Sequence, residues 1–397
     1  MQGQYTLSSR DVSRWAVQWL VRALEWTVGG AGVAPELLVR LLVRAAAEMR
    51  SLSAIVAEAA AVPSIETVRK ALLAYLPSDP QALLPAAERA LHARLPKSLR
   101  HRPRTMAIDL HLRPYYGDRR TRGIYRGEPK ASTKTFFAYA TLLVIRRGQT
   151  FTVGLTPVLN GEEQTAIIER LLQQAAQAGL QVRRLLLDRG FYGATTIQWL
   201  QGRGLPFIMP MIRRGRSGGK KSACTGTAQF FVPGRRGWSK YTWTARPRRG
   251  GHKQPATTVT VDVCMAPRPP KKRKPAKRGK KKKRQGPLVY ACHGIRWSPA
   301  KVLAWYRKRF RIETSYRQLG QGLAMTCSRN PVFRFLIVIV ALVLRNLWVW
   351  LHWLILADHT DQGRQLRLDK LPLRRLTRWL IRVLDQRLGI TAAPVTT

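Results

Sequence analysis

Acidic residues are scarce in this sequence. The 397 residues include 21 Asp and Glu against 70 Lys and Arg, a formal net charge of +49. Such a chain repels itself unless an anionic partner covers it. The apolar fraction of 45% is that of a globular protein, so disorder is not the default expectation. Nucleic acid is therefore the leading partner, an anionic membrane surface is the second, and a basic packaging protein is a third class.

Cysteine is also rare, and its spacing excludes two kinds of site. The four cysteines form no Cys-x-x-Cys pair and have no zinc-finger spacing with histidine; they are Cys224, Cys264, Cys292 and Cys327. A thiolate metal site and a disulfide framework are both disfavoured, and the composition suits a reducing cytoplasm. The first 15 residues, MQGQYTLSSRDVSRW, lack the apolar core of a signal peptide.

Long apolar runs are absent except for one, residues 333–356, FRFLIVIVALVLRNLWVWLHWLIL. Its length would suffice to cross a bilayer. Arg345, Asn346 and His352 interrupt it, and an Arg at the centre of a bilayer is costly. We interpret it as a buried core helix and expect no membrane partner, with a membrane span as the alternative.

Residues 1–100 have helical periodicity and are predicted to form a helical DNA-binding domain. Within it, Ser51 and Ser64 each begin a short helix, separated by a turn at residues 61–63. The second helix carries Arg69 and Lys70 on its polar face. This pattern indicates a helix-turn-helix that contacts DNA, and a plain helical hairpin is the alternative.

Residues 101–212 change to a mixed pattern, with the predicted order strand, strand, strand, helix, strand, helix, strand. The first strand, TMAIDLHL, contains Asp109, and the fourth, RRLLLD, ends at Asp188. In a sheet of this order the first and fourth strands can lie side by side, which would bring the two carboxylates together. Adjacent carboxylates repel each other unless a divalent metal lies between them.

Residues 213–297 are predicted to be a basic, β-rich insertion with strands at FFVP, KYTWTAR and TTVTVDVCM. Residues 268–284 hold twelve basic residues and no acid, so we expect a solvated loop. Without them the chain still has a net charge of +37. Trp238 and Trp243 are candidates for stacking on an unpaired base, with ordinary strand packing as the alternative.

Residues 298–357 are predicted to form core helices, and residues 358–397 a basic C-terminal region with a helix from about Arg364. Ser298 followed by Pro299 is a strong helix start, and we expect one helix from there through residue 319. Spacings of three and four would place five residues on one face of it: Tyr306, Arg309, Glu313, Tyr316 and Arg317. A carboxylate flanked by arginines suits a metal with a phosphate, and a solvent-exposed ion-pair face is the alternative.

Three stretches together resemble the DDE transposases of prokaryotic insertion sequences: IDLH, LLLDRGFYG and YRKRFRIETSYRQL. More narrowly, they resemble the group that has a β-rich insertion and a Y-x2-R-x3-E-x6-K signature. Tyr306, Arg309 and Glu313 match this signature, whereas Gly320 stands where the group has Lys. The resemblance covers about residues 100–350, and the missing Lys puts one phosphate contact in doubt.

The resemblance implies an α/β, ribonuclease-H-like catalytic core with two Mg²⁺ ions held by Asp109, Asp188 and Glu313, with Mn²⁺ as a substitute. It implies binding of terminal inverted repeats of double-stranded DNA, strand cleavage through a hairpin, and joining of 3′-hydroxyl ends to target DNA. The active complex would be a homodimer on paired ends, in the cytoplasm at the nucleoid. A catalytically inactive DNA-binding protein derived from a transposase is the alternative.

Further basic residues are candidates for DNA contact. Arg122, Arg126 and Lys130 lie in an otherwise basic loop and would follow a phosphate backbone. Arg317, one turn after Glu313, is a candidate to supply the charge that Gly320 lacks, and Lys308 is the alternative.

Overall fold

The N-terminal third is helical. The computed structural model describes residues 7–27, 32–145, 150–216, 218, 223–246, 248–249, 252–253, 255–269, 286–360, 363–365 and 369–390. Five helices come first: α1 (Ser9–Leu24), α2 (Pro35–Glu48), α3 (Leu52–Glu58), α4 (Ile65–Tyr75) and α5 (Leu84–His92). Ser51 and Ser64 accept hydrogen bonds from the first turns of α3 and α4, which confirms both predicted helix starts.

A mixed sheet follows. Its strands before the insertion are β1 (Arg104–Pro114), β2 (Tyr125–Lys130), β3 (Thr133–Val144), β4 (Phe151–Val158), β5 (Val182–Leu187) and β6 (Phe207–Pro210). Helix α6 (Gln164–Gln177) joins β4 to β5, and α7 (Ala194–Gly202) joins β5 to β6. The order β4-β3-β1-β5-β6, with β5 parallel to β1 and β6 parallel to β5, is that of a ribonuclease-H-like core, as predicted. The short strand β2, which the sequence did not indicate, pairs with the start of β3.

The inserted segment continues this sheet. Its strands are β7 (Gly237–Ala245), a small hairpin of β8 (Arg248–Arg249) and β9 (His252–Lys253), β10 (Thr257–Ala266) and β11 (Leu288–His293). β11 pairs with β6, and the order continues through β10 to β7. The strands predicted at KYTWTAR and TTVTVDVCM are confirmed as β7 and β10. The strand predicted at FFVP is wrong, because Gly226–Phe231 forms a 3-10 helix. Residues 270–285 of the basic loop lie outside the described residues.

The predicted single helix after Ser298 is two helices. α8 (Pro299–Arg307) is followed by a 3-10 turn at Lys308–Phe310 and then by α9 (Arg311–Leu319). The expectation of one continuous face from Tyr306 to Arg317 is therefore wrong. The tighter turn coincides with the burial of Arg309, which is only 7% exposed. The buried guanidinium of Arg309 pairs with two carboxylates at this position.

The long apolar segment forms helix α10 (Pro331–Leu354), which runs through the centre of the protein. It is long and apolar enough to cross a membrane by composition, and it is mostly buried within the protein. Its polar side chains have partners on the protein. Arg345 donates to the Thr150 hydroxyl over 2.9 Å, and the Asn346 amide pairs with both backbone groups of Thr152. These contacts confirm the core-helix interpretation.

The C-terminal region begins with a hairpin of β12 (Asp358–Thr360) and β13 (Gly363–Gln365), followed by helix α11 (Leu373–Leu388). The helix expected from about Arg364 therefore begins later, directly after Pro372. Proline has no backbone N–H to donate to a preceding helical turn, so a helix does not run through this position. α11 packs on α1 and α2, where Arg44 contacts Asp385 over 2.5 Å.

Candidate active site

Asp109 and Asp188 lie next to each other at the centre of the sheet. β1 and β5 are parallel neighbours, and Ile108 is paired with Leu187. Each aspartate is the next residue along its own strand direction. The leucines of β5 are fully buried, so the strand is anchored in the core, and Asp188 is the residue directly after it. The adjacency predicted from strand order is thus present.

The guanidinium of Arg309 bridges the two carboxylates. Its Nη1 lies 3.1 Å from Asp109 Oδ2, and its Nη2 lies 3.4 Å from Asp188 Oδ1. Nη1 has no aligned hydrogen bond at that distance, so the contact is chiefly ionic. The side chains are 8%, 12% and 40% exposed for Arg309, Asp109 and Asp188, so the bridge is buried on the Asp109 side. A positive charge thus stands where two acids would otherwise repel each other.

Burial dominates the electrostatics of Asp109. It raises the pKa of this carboxyl to about 6. Arg309 and the backbone N–H of Leu110, which donates to Oδ1 over 2.9 Å, oppose the rise, while Asp188 and Glu313 add to it. A carboxyl in this position holds a proton more readily than an exposed one, and the nearby positive charge of Arg309 favours its ionised form.

Tyr306 anchors the end of α8 to the same place. Its hydroxyl donates to the carbonyl oxygen of Leu187 over 3.2 Å, and burial raises its pKa well above the usual range. Tyr306 and Arg309 also line a cleft of about 900 Å³ that reaches Asp188. The rest of its lining includes apolar and aromatic side chains such as Leu303 and Phe310. The cleft gives a large ligand access to Asp188.

Glu313 is not part of the aspartate pair. It lies exposed in the first turn of α9, although it is near enough to contribute to the pKa of Asp109. Within the described part of the chain, no three His, Cys, Asp or Glu side chains form a group that could hold a metal ion. By donor chemistry the two aspartates fit a hard divalent cation such as Mg²⁺ or Mn²⁺. Glu313 would complete that set only after its exposed side chain turns toward the aspartates.

Two further residues at the site, Tyr316 and Thr141, were given no role of their own from the sequence. The hydroxyl of Tyr316 lies 3.0 Å from the carbonyl oxygen of Asp109 and 2.7 Å from the hydroxyl of Thr141. Its ring packs against His111 with 4.6 Å between ring centroids. Burial lowers the pKa of His111 to about 3, so His111 is a neutral core residue. Only the spacing of Tyr316, one turn from Glu313, hinted at a place in the site.

Gly320, the departure from the transposase signature, ends α9 in an exposed position. A Cβ atom added there would meet no atom within 4 Å. Its φ of −60° is right-handed helical, so the backbone does not require glycine. Arg317, the candidate substitute, is exposed one turn earlier.

The basic residues predicted to follow DNA are on the surface. Arg122 precedes β2, and Arg126 and Lys130 lie on it; all three are exposed. Arg126 also lines a groove of about 900 Å³ with Arg119 and Lys134, among the hydroxyls of residues 132, 133 and 135. In the N-terminal helices, Arg69 and Lys70 are exposed on α4, and Lys70 pairs with Glu66 over 3.2 Å.

The two tryptophans of the insertion differ in their surroundings. Trp238 is 37% exposed, and its indole N–H donates to the carbonyl oxygen of Trp297 over 2.9 Å. Trp243 stacks on Tyr192 and on Tyr241, with ring centroids 5.7 and 5.4 Å apart. Trp243 thus has the packing role that was the alternative to base stacking, while Trp238 keeps an exposed surface.

A ribonuclease-H-like sheet that presents two adjacent aspartates beside a Tyr–Arg helix end agrees with the DDE resemblance seen in the sequence. Residues 127–347, more than half of the chain, match the transposase DDE domain family, and the chain belongs to this family. The matched segment includes Asp188 and Glu313 and begins after Asp109.

A solved structure supports the fold assignment. The cryo-EM structure of a piggyBac transposase synaptic complex with hairpin DNA has a TM-score of 0.54 to this chain at 11% sequence identity. The similarity covers 99% of this chain and 84% of the other. No curated protein matches the sequence.

Proposed function

We propose that the protein is a divalent-metal-dependent DNA transposase of the insertion-sequence type, which cleaves DNA at transposon ends and joins their 3′-hydroxyls to target DNA. The observation that carries the proposal is the aspartate pair. Asp109 and Asp188 follow paired residues of two parallel strands at the centre of a ribonuclease-H-like sheet. Family membership supplies the reaction class, phosphoryl transfer on nucleic acid.

Asp109, Asp188 and Glu313 are the residues that would hold Mg²⁺, or Mn²⁺ in its place. Such ions activate water or a 3′-hydroxyl and stabilise the leaving oxygen in phosphoryl transfer. Arg309 neutralises the aspartate pair in the structure described. When that pair has another cation, the guanidinium is free to bind a phosphate oxygen of the DNA, with Tyr306 holding the end of α8 against β5.

The proposed DNA path follows the exposed cations. Phosphates of the transposon end would contact the exposed Arg317 on α9 and the surface formed by Arg122, Arg126 and Lys130 at β2. Arg69 and Lys70 on α4 would bind the end sequence. Trp238 would stack on an unpaired base, for which its exposed ring surface is suited. Trp243 would support β7, the strand that carries both tryptophans, through its stacking on Tyr241.

We further propose that two copies act on paired ends at the nucleoid and that cleavage passes through a hairpin on the transposon end. The similar piggyBac structure is described as a synaptic complex with hairpin DNA. A native gel with end DNA tests the pairing, because a dimer holding two ends migrates apart from a one-end complex.

Asp188→Asn tests the catalytic proposal. Wild type should cleave end-containing DNA with Mg²⁺ and not with EDTA. Asp188→Asn should lose at least roughly 1,000-fold in rate, because a metal ligand is removed, and it should still bind the same DNA. Glu163→Gln, which changes an acid outside the site at the start of α6, is the matched control and should cleave normally. Equal cleavage by wild type and Asp188→Asn would refute the assignment.

One rival function has a specific observation in its favour. Glu313 lies apart from the aspartates and Gly320 replaces a lysine, which suits a DNA-binding protein that has lost catalysis. If wild type binds end DNA tightly and shows no metal-dependent cleavage of intact or pre-nicked ends, the inactive alternative is correct.

A further inference from the structure

Tyr316 joins three parts of the site through one hydroxyl. A phenol has a single O–H, so its two close contacts must differ in direction. We assign the Tyr316 hydroxyl as donor to the carbonyl oxygen of Asp109, 3.0 Å away, because a carbonyl can only accept. The Thr141 hydroxyl, 2.7 Å away, is then the donor to the Tyr316 oxygen. The Tyr316 hydroxyl thus donates one hydrogen bond and accepts another.

The two partners of Tyr316 are themselves paired. Asp109 on β1 lies opposite Thr141 on β3 in the antiparallel ladder. The ladder between β1 and β5 ends one residue earlier, at Ile108 and Leu187. Tyr316 therefore binds the sheet where the strand that carries Asp109 loses one of its neighbours. Its ring also covers His111, two residues further along the same strand.

This contact joins helix α9 to the sheet, beside the buried Ile312 and Leu319 of the same helix. The 3-10 turn at Lys308–Phe310 separates α9 from α8, so the direction of α9 is not set by a continuous helix. Glu313 lies three residues before Tyr316, which places both on the same side of α9. A hydrogen bond from Tyr316 to the backbone of Asp109 therefore fixes the distance between the helix of Glu313 and the strand of Asp109.

We propose that Tyr316, with Thr141, is a positioning residue that holds α9 so that Glu313 can act with Asp109. The proposal rests on the proposed transposase function. Tyr316 would act through the helix, because its hydroxyl is bonded to the Asp109 carbonyl oxygen and to the Thr141 hydroxyl.

Tyr316→Phe is the first test, because it keeps the ring over His111 and removes both hydrogen bonds. With end DNA saturating, kcat for cleavage should fall about tenfold, the order expected when buried hydrogen bonds that position a group are lost. The Kd for end DNA in EDTA should stay within roughly twofold, since no DNA contact is removed. The Mg²⁺ concentration for half-maximal cleavage should rise, because Glu313 is less often in place.

Amide hydrogen exchange in EDTA, without DNA, gives a measurement that needs no catalysis. In Tyr316→Phe, α9 should exchange faster, while α10 should be unchanged. Thr141→Val should give the same effect more weakly, and Thr141→Ser should restore wild-type exchange. Tyr75→Phe is the matched control, because it removes a buried hydroxyl without a hydrogen-bond partner on α4.

Unchanged exchange in α9 of both Tyr316→Phe and Thr141→Val would overturn the positioning role, whether or not the wild type cleaves DNA. An equal fall in kcat for Tyr75→Phe would also overturn it, because the effect would then be general. Absence of cleavage by wild type refutes the proposed function and leaves the exchange experiment to decide the role of Tyr316 in placing α9.

Discussion

Arg309 places one positive charge between two carboxylates, and that single side chain determines how the site behaves without another cation. Nη1 and Nη2 lie 3.1 and 3.4 Å from Asp109 and Asp188. A guanidinium and a divalent ion would compete for the same pair of oxygens. The guanidinium of Arg309 thus stabilises the aspartate pair. It would have to move away before a metal ion could bind the same carboxylate oxygens.

Arg309→Met should make the stability of the protein depend on Mg²⁺ more than it does in wild type. The variant keeps an apolar stem but leaves the two aspartates unpaired, so its melting temperature without metal should fall by several degrees, roughly 2–4 °C per kcal/mol lost. Adding Mg²⁺ should raise the melting temperature of Arg309→Met more than that of wild type. Lys308→Met, the neighbouring cation in the same 3-10 turn, should respond like wild type. An equal response to Mg²⁺ in all three proteins would show that no competition exists.

Gly320→Lys should restore the cation that the transposase signature has at this position. The backbone is helical and a new side chain meets no atom within 4 Å, so the change should not destabilise the fold. Affinity for end DNA should rise by about 1 kcal/mol at low salt, or roughly fivefold, which is the size expected for one phosphate contact. Gly320→Gln, with a long uncharged side chain, should bind like wild type in the same anisotropy titration. A loss of affinity in Gly320→Lys would place the DNA elsewhere.

Residue-level prediction succeeded where strand order alone decided the outcome. Asp109 and Asp188 could be expected to meet because the first and fourth strands of such a sheet are neighbours. The role of Tyr316 could not be predicted, because the pairing of Asp109 with Thr141 depends on strand register. The sequence also could not show that Arg309 would take the place beside both aspartates.

At the scale of elements, the sequence predicted a helix well when a capping residue marked where the helix begins. The starts of α3, α4 and α8 follow serine caps that are visible in the sequence. The break between α8 and α9 has no Pro or Gly to signal it, and it coincides with the buried Arg309. FFVP is similar: its composition favours a strand, but the contacts of the insertion give a 3-10 helix.

Helix α5 should make stability depend on pH. His92 at its end contacts the carbonyl oxygen of Val153 on β4 over 2.7 Å. Burial lowers the pKa of His92, the bond to Val153 opposes this, and Arg100 adds to it. The folded pKa is below the unfolded value, so stability is full above the unfolded pKa and decreases as pH falls below it.

Urea unfolding at about pH 7.5 and about pH 5 tests this, since the interval spans the usual pKa of histidine. His92→Gln should lose less stability between the two pH values than wild type does, because it cannot take up a proton. His101→Gln, at an exposed histidine nearby, should lose as much as wild type. The same loss in all three proteins would assign the pH dependence to other groups.

At the scale of the whole molecule, the net charge of +49 should dominate how tightly DNA is held. Each phosphate neutralised contributes about −0.9 to the slope of log K against log salt. Replacing residues 268–284 with a Gly/Ser segment of equal length removes twelve cations and leaves +37. The slope should become shallower while binding persists. Replacing only the arginines of this segment with lysine keeps all twelve cations and should keep the wild-type slope. An unchanged slope in the Gly/Ser variant would mean that this segment does not contact DNA.

The continuous sheet has a consequence for how the protein is made. β6 has four residues, and Pro210 at its end pairs with Tyr290 on β11, with the whole inserted segment between them. During synthesis, β6 therefore remains an unpaired edge until the ribosome has passed His293. Pairing over such a sequence distance is slow, and an open edge in the meantime favours association between nascent chains. The protein should consequently need chaperone protection over this interval of translation, and chains that end before β11 should aggregate.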